Sequence, residues 1–191
     1  MKNIAIFASG EGTNAEHLIR QFNREGSDIR VALLVYNRQE AEVRRRAEAL
    51  GVRAVYRNRK DFADEEAMLR LLHEADVCFI ALSGFLLLLP PYLLRAYPGR
   101  IVNIHPSLLP LHGGKGMWGI KVHADVLRHG EKESGITIHL IDGQYDHGRI
   151  VLQEKCPVLP DDTPETLEQR VHALEYIYYP KAVRYLVEQI S

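Results

Sequence analysis

Asn103 and His105 stand two residues apart in the run Asn103-Ile104-His105-Pro106-Ser107-Leu108-Leu109-Pro110. If the residues leading into Pro106 form a strand, period-two geometry puts both side chains on one side of it. A carboxamide next to an imidazole supplies the donors that a developing oxyanion needs. Pro106 and Pro110 stiffen the exit, so those donors are set before any reaction begins. The plainer alternative is a buried structural asparagine beside a histidine bonded to a loop carbonyl.

Two further segments bear on the same chemistry. Asp142-Gly143-Gln144-Tyr145-Asp146-His147-Gly148 has the composition of a turn between strands. An aspartate there can orient His105, favour its protonated form or relay a proton through water. Spacing alone does not choose between Asp142 and Asp146. The second segment, Ser9-Gly10-Glu11-Gly12-Thr13-Asn14, follows an apolar run and opens an amphipathic one. Its glycines permit a tight turn, and the free N–H groups of a helix start favour an anion. Ala15 occupies the place of the third dinucleotide glycine and no Walker lysine follows. A phosphomonoester therefore fits better than a dinucleotide, the alternative being a plain turn capped by Thr13 or Asn14. Glu175, among Tyr176, Tyr178 and Tyr179, reads on residue type alone as a surface carboxylate. The glycine-rich stretch 111–117, with Lys115, has the composition of a lid or ligand-contacting loop.

The elements that must position these groups follow from apolar periodicity. Strands are predicted over 4–8, 29–36, 54–56, 76–82 and 100–104, with helices over 13–25, 41–50 and 62–75. Continuous apolar strands separated by helices imply βαβ units and a parallel sheet covered on both faces. From Ser134 the pattern changes: 135–141 alternates, 149–158 is another strand, and a long helix begins at Thr163-Pro164. Pro180 is predicted to kink or divide that helix. The expected fold is a Rossmann-like α/β open twisted sheet, mostly parallel with an antiparallel C-terminal part, in a single domain over 1–191. In such sheets ligands bind beyond the carboxyl ends of the strands. Residues 9–14, 83–85, 103–110 and 142–148 all fall there.

Composition narrows the partners. Across 191 residues, 24 Lys and Arg nearly balance 25 Asp and Glu, so there is no broad positive field for nucleic acid or an anionic membrane. Pro90 and Pro91 interrupt the densest apolar stretch, which cannot span a bilayer. Cys78 and Cys156 are far apart, with no C-x-x-C pair and no histidine at ligand spacing, so no disulfide framework and no metal site is expected. The predicted setting is the cytoplasm, with small-molecule partners and a monomeric or homodimeric chain.

Taken together, the motifs resemble the phosphoribosylglycinamide formyltransferases of purine biosynthesis over essentially the whole chain. The resemblance is carried by the loop 9–14, Ser83-Gly84-Phe85, the run 103–110, Asp146-His147-Gly148, and Glu175 followed by Pro180. It implies that Asn103, His105 and Asp146 are the catalytic trio and that Gly12, Thr13 and Asn14 bind the ribonucleotide phosphate. Glu175 would contact the glycinamide portion. Phe85, Leu86, Leu87, Leu88, Leu89, Ile141, Asp142 and Asn103 would bind the folate. The implied cosubstrate is 10-formyltetrahydrofolate, with direct attack of the substrate amine and no covalent enzyme intermediate.

The sequence departs from this family at Leu87, where many relatives carry Arg, and at Arg149, where a proline is common. The stretch 112–119 also departs. Other folate-dependent formyltransferases and formyltetrahydrofolate hydrolases share the N-x-H…D pattern, and the loop 9–14 discriminates against them. A non-catalytic nucleotide-binding module is the alternative of another class, since fold does not dictate function.

Overall fold

The computed structural model of the chain describes residues 1–190. Seven strands form one sheet: β1 (Lys2–Ala8), β2 (Ile29–Tyr36), β3 (Arg53–Tyr56), β4 (Val77–Ser83), β5 (Ile101–His105), β6 (Glu133–Leu140) and β7 (Ile150–Pro157). Their order is β3-β2-β1-β4-β5-β6-β7. The first five are mutually parallel, and β6 and β7 run antiparallel to their neighbours.

The strands are apolar on both faces because helices cover both. Ile4, Ile6 and Ala8 of β1 pack in a layer with α1 (Thr13–Phe22), α2 (Val43–Ala49), α5 (Ile120–Arg128) and α6 (Pro164–Glu188). The alternate residues Ala5 and Phe7 face α3 (Glu65–Glu74) and α4 (Pro91–Ala96). The connection leaving β1 runs to β2 on one side and that leaving β4 runs to β5 on the other, which opens a crevice between the carboxyl ends of β1 and β4.

Several boundaries differ from the sequence expectation. α1 stops at Phe22 because the carboxamide of Asn23 turns to β2, donating to the Val31 carbonyl (3.0 Å) and accepting from its N–H (2.7 Å). The predicted helix 62–75 is instead a 3₁₀ turn at Asp61–Ala63 followed by α3. Asp64 caps α3 by accepting from the Ala67 N–H at 3.0 Å. α4 starts with Pro91 in its first turn, where a missing N–H costs nothing, so the prolines that ruled out a membrane span also open a helix. α4 and α5 are short, and no helix is predicted over either.

Pro180 does not divide the last helix: α6 is one element from Pro164 to Glu188. Tyr179, Ala182 and Val183 are buried on both sides of the proline, and the Tyr179 hydroxyl donates to the Leu82 carbonyl at 2.6 Å. Packing thus holds the two halves in register despite the lost backbone bond.

The sheet changes character at β5. Val102 and Ile104 join the helix layer, while Asn103 and His105 point to the other side. There they pair in register with His139 and Thr137 of β6. α3 and α4 pack over β1, β2, β4 and the start of β5 at Ile101. Beyond them this face carries a polar row, which the chain segment 106–119 and the turn 141–149 cover. The Thr137 hydroxyl donates to the Ser107 carbonyl (2.7 Å) and accepts from the Leu109 N–H (2.9 Å), anchoring the first of these segments.

Candidate active site

The loop after β1 is built around Gly12, at φ +78°. A Cβ there would lie 2.4 Å from Cβ of Val43, so conformation and space both demand glycine. No side chain caps α1, which leaves its first N–H groups facing outward. Thr13 and Asn14 are therefore not the caps of a plain turn. Asn14 instead donates from Nδ2 to Oε2 of Glu175 at 2.7 Å. Ser9 joins this loop to the end of β4, its N–H donating to the Gly84 carbonyl (3.2 Å) and its hydroxyl accepting from the Leu86 N–H (2.9 Å).

Asn103 and His105 sit side by side at the end of β5, as period two requires. The amide of Asn103 donates from Nδ2 to Nε2 of His139 at 3.2 Å, and His139 donates from Nδ1 to the His147 carbonyl at 3.0 Å. Burial lowers the His139 pKa and favours the neutral ring, whose Nε2 then accepts. His139 thereby orients the Asn103 carboxamide.

His105 is buried. Its Nδ1 lies 3.3 Å from Oδ1 of Asp146, and its Nε2 donates to the His112 carbonyl at 2.9 Å. Both expectations for this residue therefore meet, since the ring is paired with an aspartate and also bonded to a loop carbonyl.

Asp146 adopts φ +48° and accepts on Oδ2 from the Gly114 N–H at 2.8 Å. Burial pushes its carboxyl up, but the hydrogen bond and charge of His105 and the Gly114 N–H outweigh it, and the net shift is downward. Asp142, by contrast, is exposed and pairs with His147. The turn thus presents Asp146, not Asp142, to the imidazole.

Glu175 is not the surface carboxylate its residue type suggests: it is 4% exposed. Burial raises its pKa, and the opposing pull of His172 and Asn14 does not cancel that. Gly12, Thr13, Asn14, Asn103, His105, Asp146 and Glu175 all line one cavity of about 580 Å³, together with Phe85 and Leu86.

The remaining residues expected to bind folate lie outside that wall. Leu89 is buried in the core and Leu88 is 47% exposed. Phe85, Leu87, Leu94 and Ile141 are partly buried and each packs against the α3/α4 core cluster. Phe85 both packs there and lines the cavity.

Three histidines of this region carried no functional signal in the sequence. His139 is described above, and His172 lines the cavity 3.7 Å from Glu175. His123 of α5 also lines it, fully buried, with neither ring nitrogen partnered among the described residues and burial holding its pKa down at about 4. A histidine at an apolar helical spacing looks like core, and only the cavity distinguishes it.

The similarity to known proteins spans the same elements. A Bacillus subtilis (strain 168) protein named phosphoribosylglycinamide formyltransferase is 39% identical over 193 residues, covering 98% of this chain and 95% of its own. The crystal structure of glycinamide ribonucleotide transformylase 1 from Geobacillus kaustophilus has a TM-score of 0.88 at 40% identity, covering 98% of this chain and 99% of that one. The phosphoribosylglycinamide formyltransferase structure from Bacillus halodurans gives 0.87 at 36% identity, covering 100% and 97%. With residues 2–183 also matching the formyl transferase profile, the chain belongs to the formyl transferase family.

Proposed function

We propose that this chain transfers the formyl group of 10-formyltetrahydrofolate to the amine of 5'-phosphoribosylglycinamide, giving formylglycinamide ribonucleotide and tetrahydrofolate. The observation that carries this reading is one cavity that joins an uncapped helix start, a buried carboxyl and the Asn103–His105–Asp146 cluster. The outward N–H groups at Gly12, Thr13 and Asn14 suit the phosphate. Glu175, held by Asn14, reaches the amine end. The partly buried side chains of Phe85, Leu87, Leu94 and Ile141 offer apolar contacts to a pterin. Leu86 continues these contacts into the cavity, while Leu88, Leu89 and Asp142 act through the backbone.

In this reading the amine nitrogen attacks the formyl carbon and the carbonyl oxygen becomes an oxyanion. Asn103 and the Nε2–H of His105 donate to that oxygen. His105 must first exchange the His112 carbonyl for it, because one N–H does not serve both well. Asp146 holds Nδ1 of His105 and takes the proton from the attacking nitrogen. As the carbon–nitrogen bond to the folate breaks, that proton passes to the leaving nitrogen, so charge and protons balance. Holding two substrates together offsets the entropic cost of a bimolecular step. The reaction belongs to de novo purine biosynthesis in the cytoplasm, with small molecules and not nucleic acid as partners.

The direct test mixes the protein with glycinamide ribonucleotide and 10-formyltetrahydrofolate and follows deformylated folate by absorbance. Turnover that requires the ribonucleotide is expected. Folate loss without it would identify a hydrolase, and no reaction beside an active control transferase would overturn the proposal in favour of a binding module.

Glu175 supplies a second prediction. Because burial raises its pKa, the native state binds the carboxyl proton more tightly than the unfolded chain does, and stability is lost as pH rises through the carboxyl's native pKa. Glu175→Gln removes that loss. Denaturation at mildly alkaline pH is expected to show the variant about 1 kcal/mol more stable than the parent, with the gap shrinking toward acid, while turnover falls. A gap that widens toward acid would contradict the raised carboxyl pKa.

A further inference from the structure

We infer that His112, Asp125 and His129 form a zinc-binding site at the outer end of the loop that covers His105, and that zinc bound there holds the loop in its covering position. One ligand atom from each of the three residues lies within 4.8 Å of the others. Asp125 and His129 are one helical turn apart on α5 and its C-cap, so their side chains project from the same face. His112 reaches them from the glycine-rich loop, with Nδ1 2.7 Å from Oδ2 of Asp125. Nδ1 of His129 lies 3.6 Å from the same oxygen.

Donors bound tetrahedrally to zinc at about 2.0–2.1 Å stand about 3.4 Å apart. The observed separations of 2.7 and 3.6 Å straddle that figure, so small side-chain adjustments close the site. His129 is half-exposed and free to turn away from the Asp125 carbonyl it now contacts. Arg128 holds Oδ1 of Asp125, which leaves Oδ2 as a single-oxygen ligand.

The surroundings also suit a metal. Among the described residues Nε2 of His112 is buried without a hydrogen-bond partner, and a carboxylate oxygen of Glu131 lies 3.4 Å away. When the metal takes Nδ1, the ring proton moves to Nε2, where Glu131 accepts it. A ligating histidine usually donates its second N–H to a carboxylate in this way. Two imidazoles and one carboxylate, with water in the fourth position, suit zinc, whereas calcium and magnesium require oxygen ligands.

The consequence for the cavity follows from His112 itself. This residue has φ +55°, its ring in the metal cluster and its carbonyl on Nε2 of His105. Fixing the ring keeps that carbonyl in competition with the oxyanion for the same N–H. Zinc binding rests on geometry alone, while its inhibitory effect rests on the formyl-transfer reading.

The test uses untagged, metal-free protein. Cobalt titration is expected to give one equivalent of tetrahedral visible absorption, bleached by zinc, with the affinity about tenfold or more weaker in His129→Ala. Zinc should lower turnover of the parent about tenfold and leave His129→Ala, equally active without metal, unaffected. Absence of the absorption, or the same affinity in His129→Ala, would overturn the site. Equal zinc inhibition of both proteins would overturn the coupling to His105. Failure of metal-free turnover would count against the formyl-transfer reading and leave the cobalt result to decide the site.

Discussion

His105→Ala is expected to lower kcat by roughly a hundredfold or more, the usual loss when one oxyanion donor is removed. The effect should fall on kcat and spare KM, because this N–H acts on charge that appears only in the transition state. The substitution also strips partners from Asp146 and from the His112 carbonyl, so the variant is expected to unfold more readily. Circular dichroism and ribonucleotide affinity separate that cost from the catalytic one, since a folded variant that still binds ribonucleotide isolates the chemistry. Asp146→Asn, nearly unchanged in shape, removes the charge that holds Nδ1 and is expected to lower kcat in the same direction. Wild-type-like turnover in either variant would refute the assigned roles.

Gly148→Ala is the second large effect, and it acts through the backbone. Gly148 sits at φ +117°, and a Cβ there would come within 2.0 Å of the Leu140 carbonyl oxygen. Either the turn at residue 148 or the end of β6 must shift. The expected cost is about 3 kcal/mol of stability, read from the shift of a denaturant midpoint. Asp146 lies two residues away on the same turn. A displacement of about an ångström there is enough to lower turnover about a hundredfold. Gly130→Ala is the control: it has φ +67° but open space around the added carbon, so it should cost only about 1 kcal/mol of backbone strain and leave turnover unchanged. Equal effects at the two glycines would show that strain, not the contact with Leu140, is what matters.

Much of the fold was legible because its signals are local. The strand at 29–36 matches β2 residue for residue, and the other central strands fall within two residues of their predicted ends. The switch from continuous to alternating apolar residues after Ser134 marks where the sheet turns antiparallel. Thr163 and Pro164 open α6 through a capping box in which Thr163 and Thr166 serve each other. Asn103 beside His105 and the glycine loop at 9–14 were likewise readable, since period two and helix-start chemistry involve only near neighbours. α4 escaped because its six residues span under two turns. α5, though amphipathic with Val122, His123 and Val126 buried, follows directly on the glycine-rich stretch that reads as a loop.

What the sequence by itself determined was the order of the strands along the chain, the helices α1, α2, α3 and α6, the paired donors of Asn103 and His105, and the anion-ready loop around Gly12. Only the tertiary structure decided that Asp146 and not Asp142 meets His105, that Glu175 is buried, and that α6 passes intact through Pro180. It also brought His139 to Asn103 through the β5–β6 register and set the His112 carbonyl on His105. The division has one physical cause. Turn, cap and period are settled by steric and hydrogen-bonding rules among adjacent residues, whereas burial and partnership depend on which distant segments the packed sheet brings together.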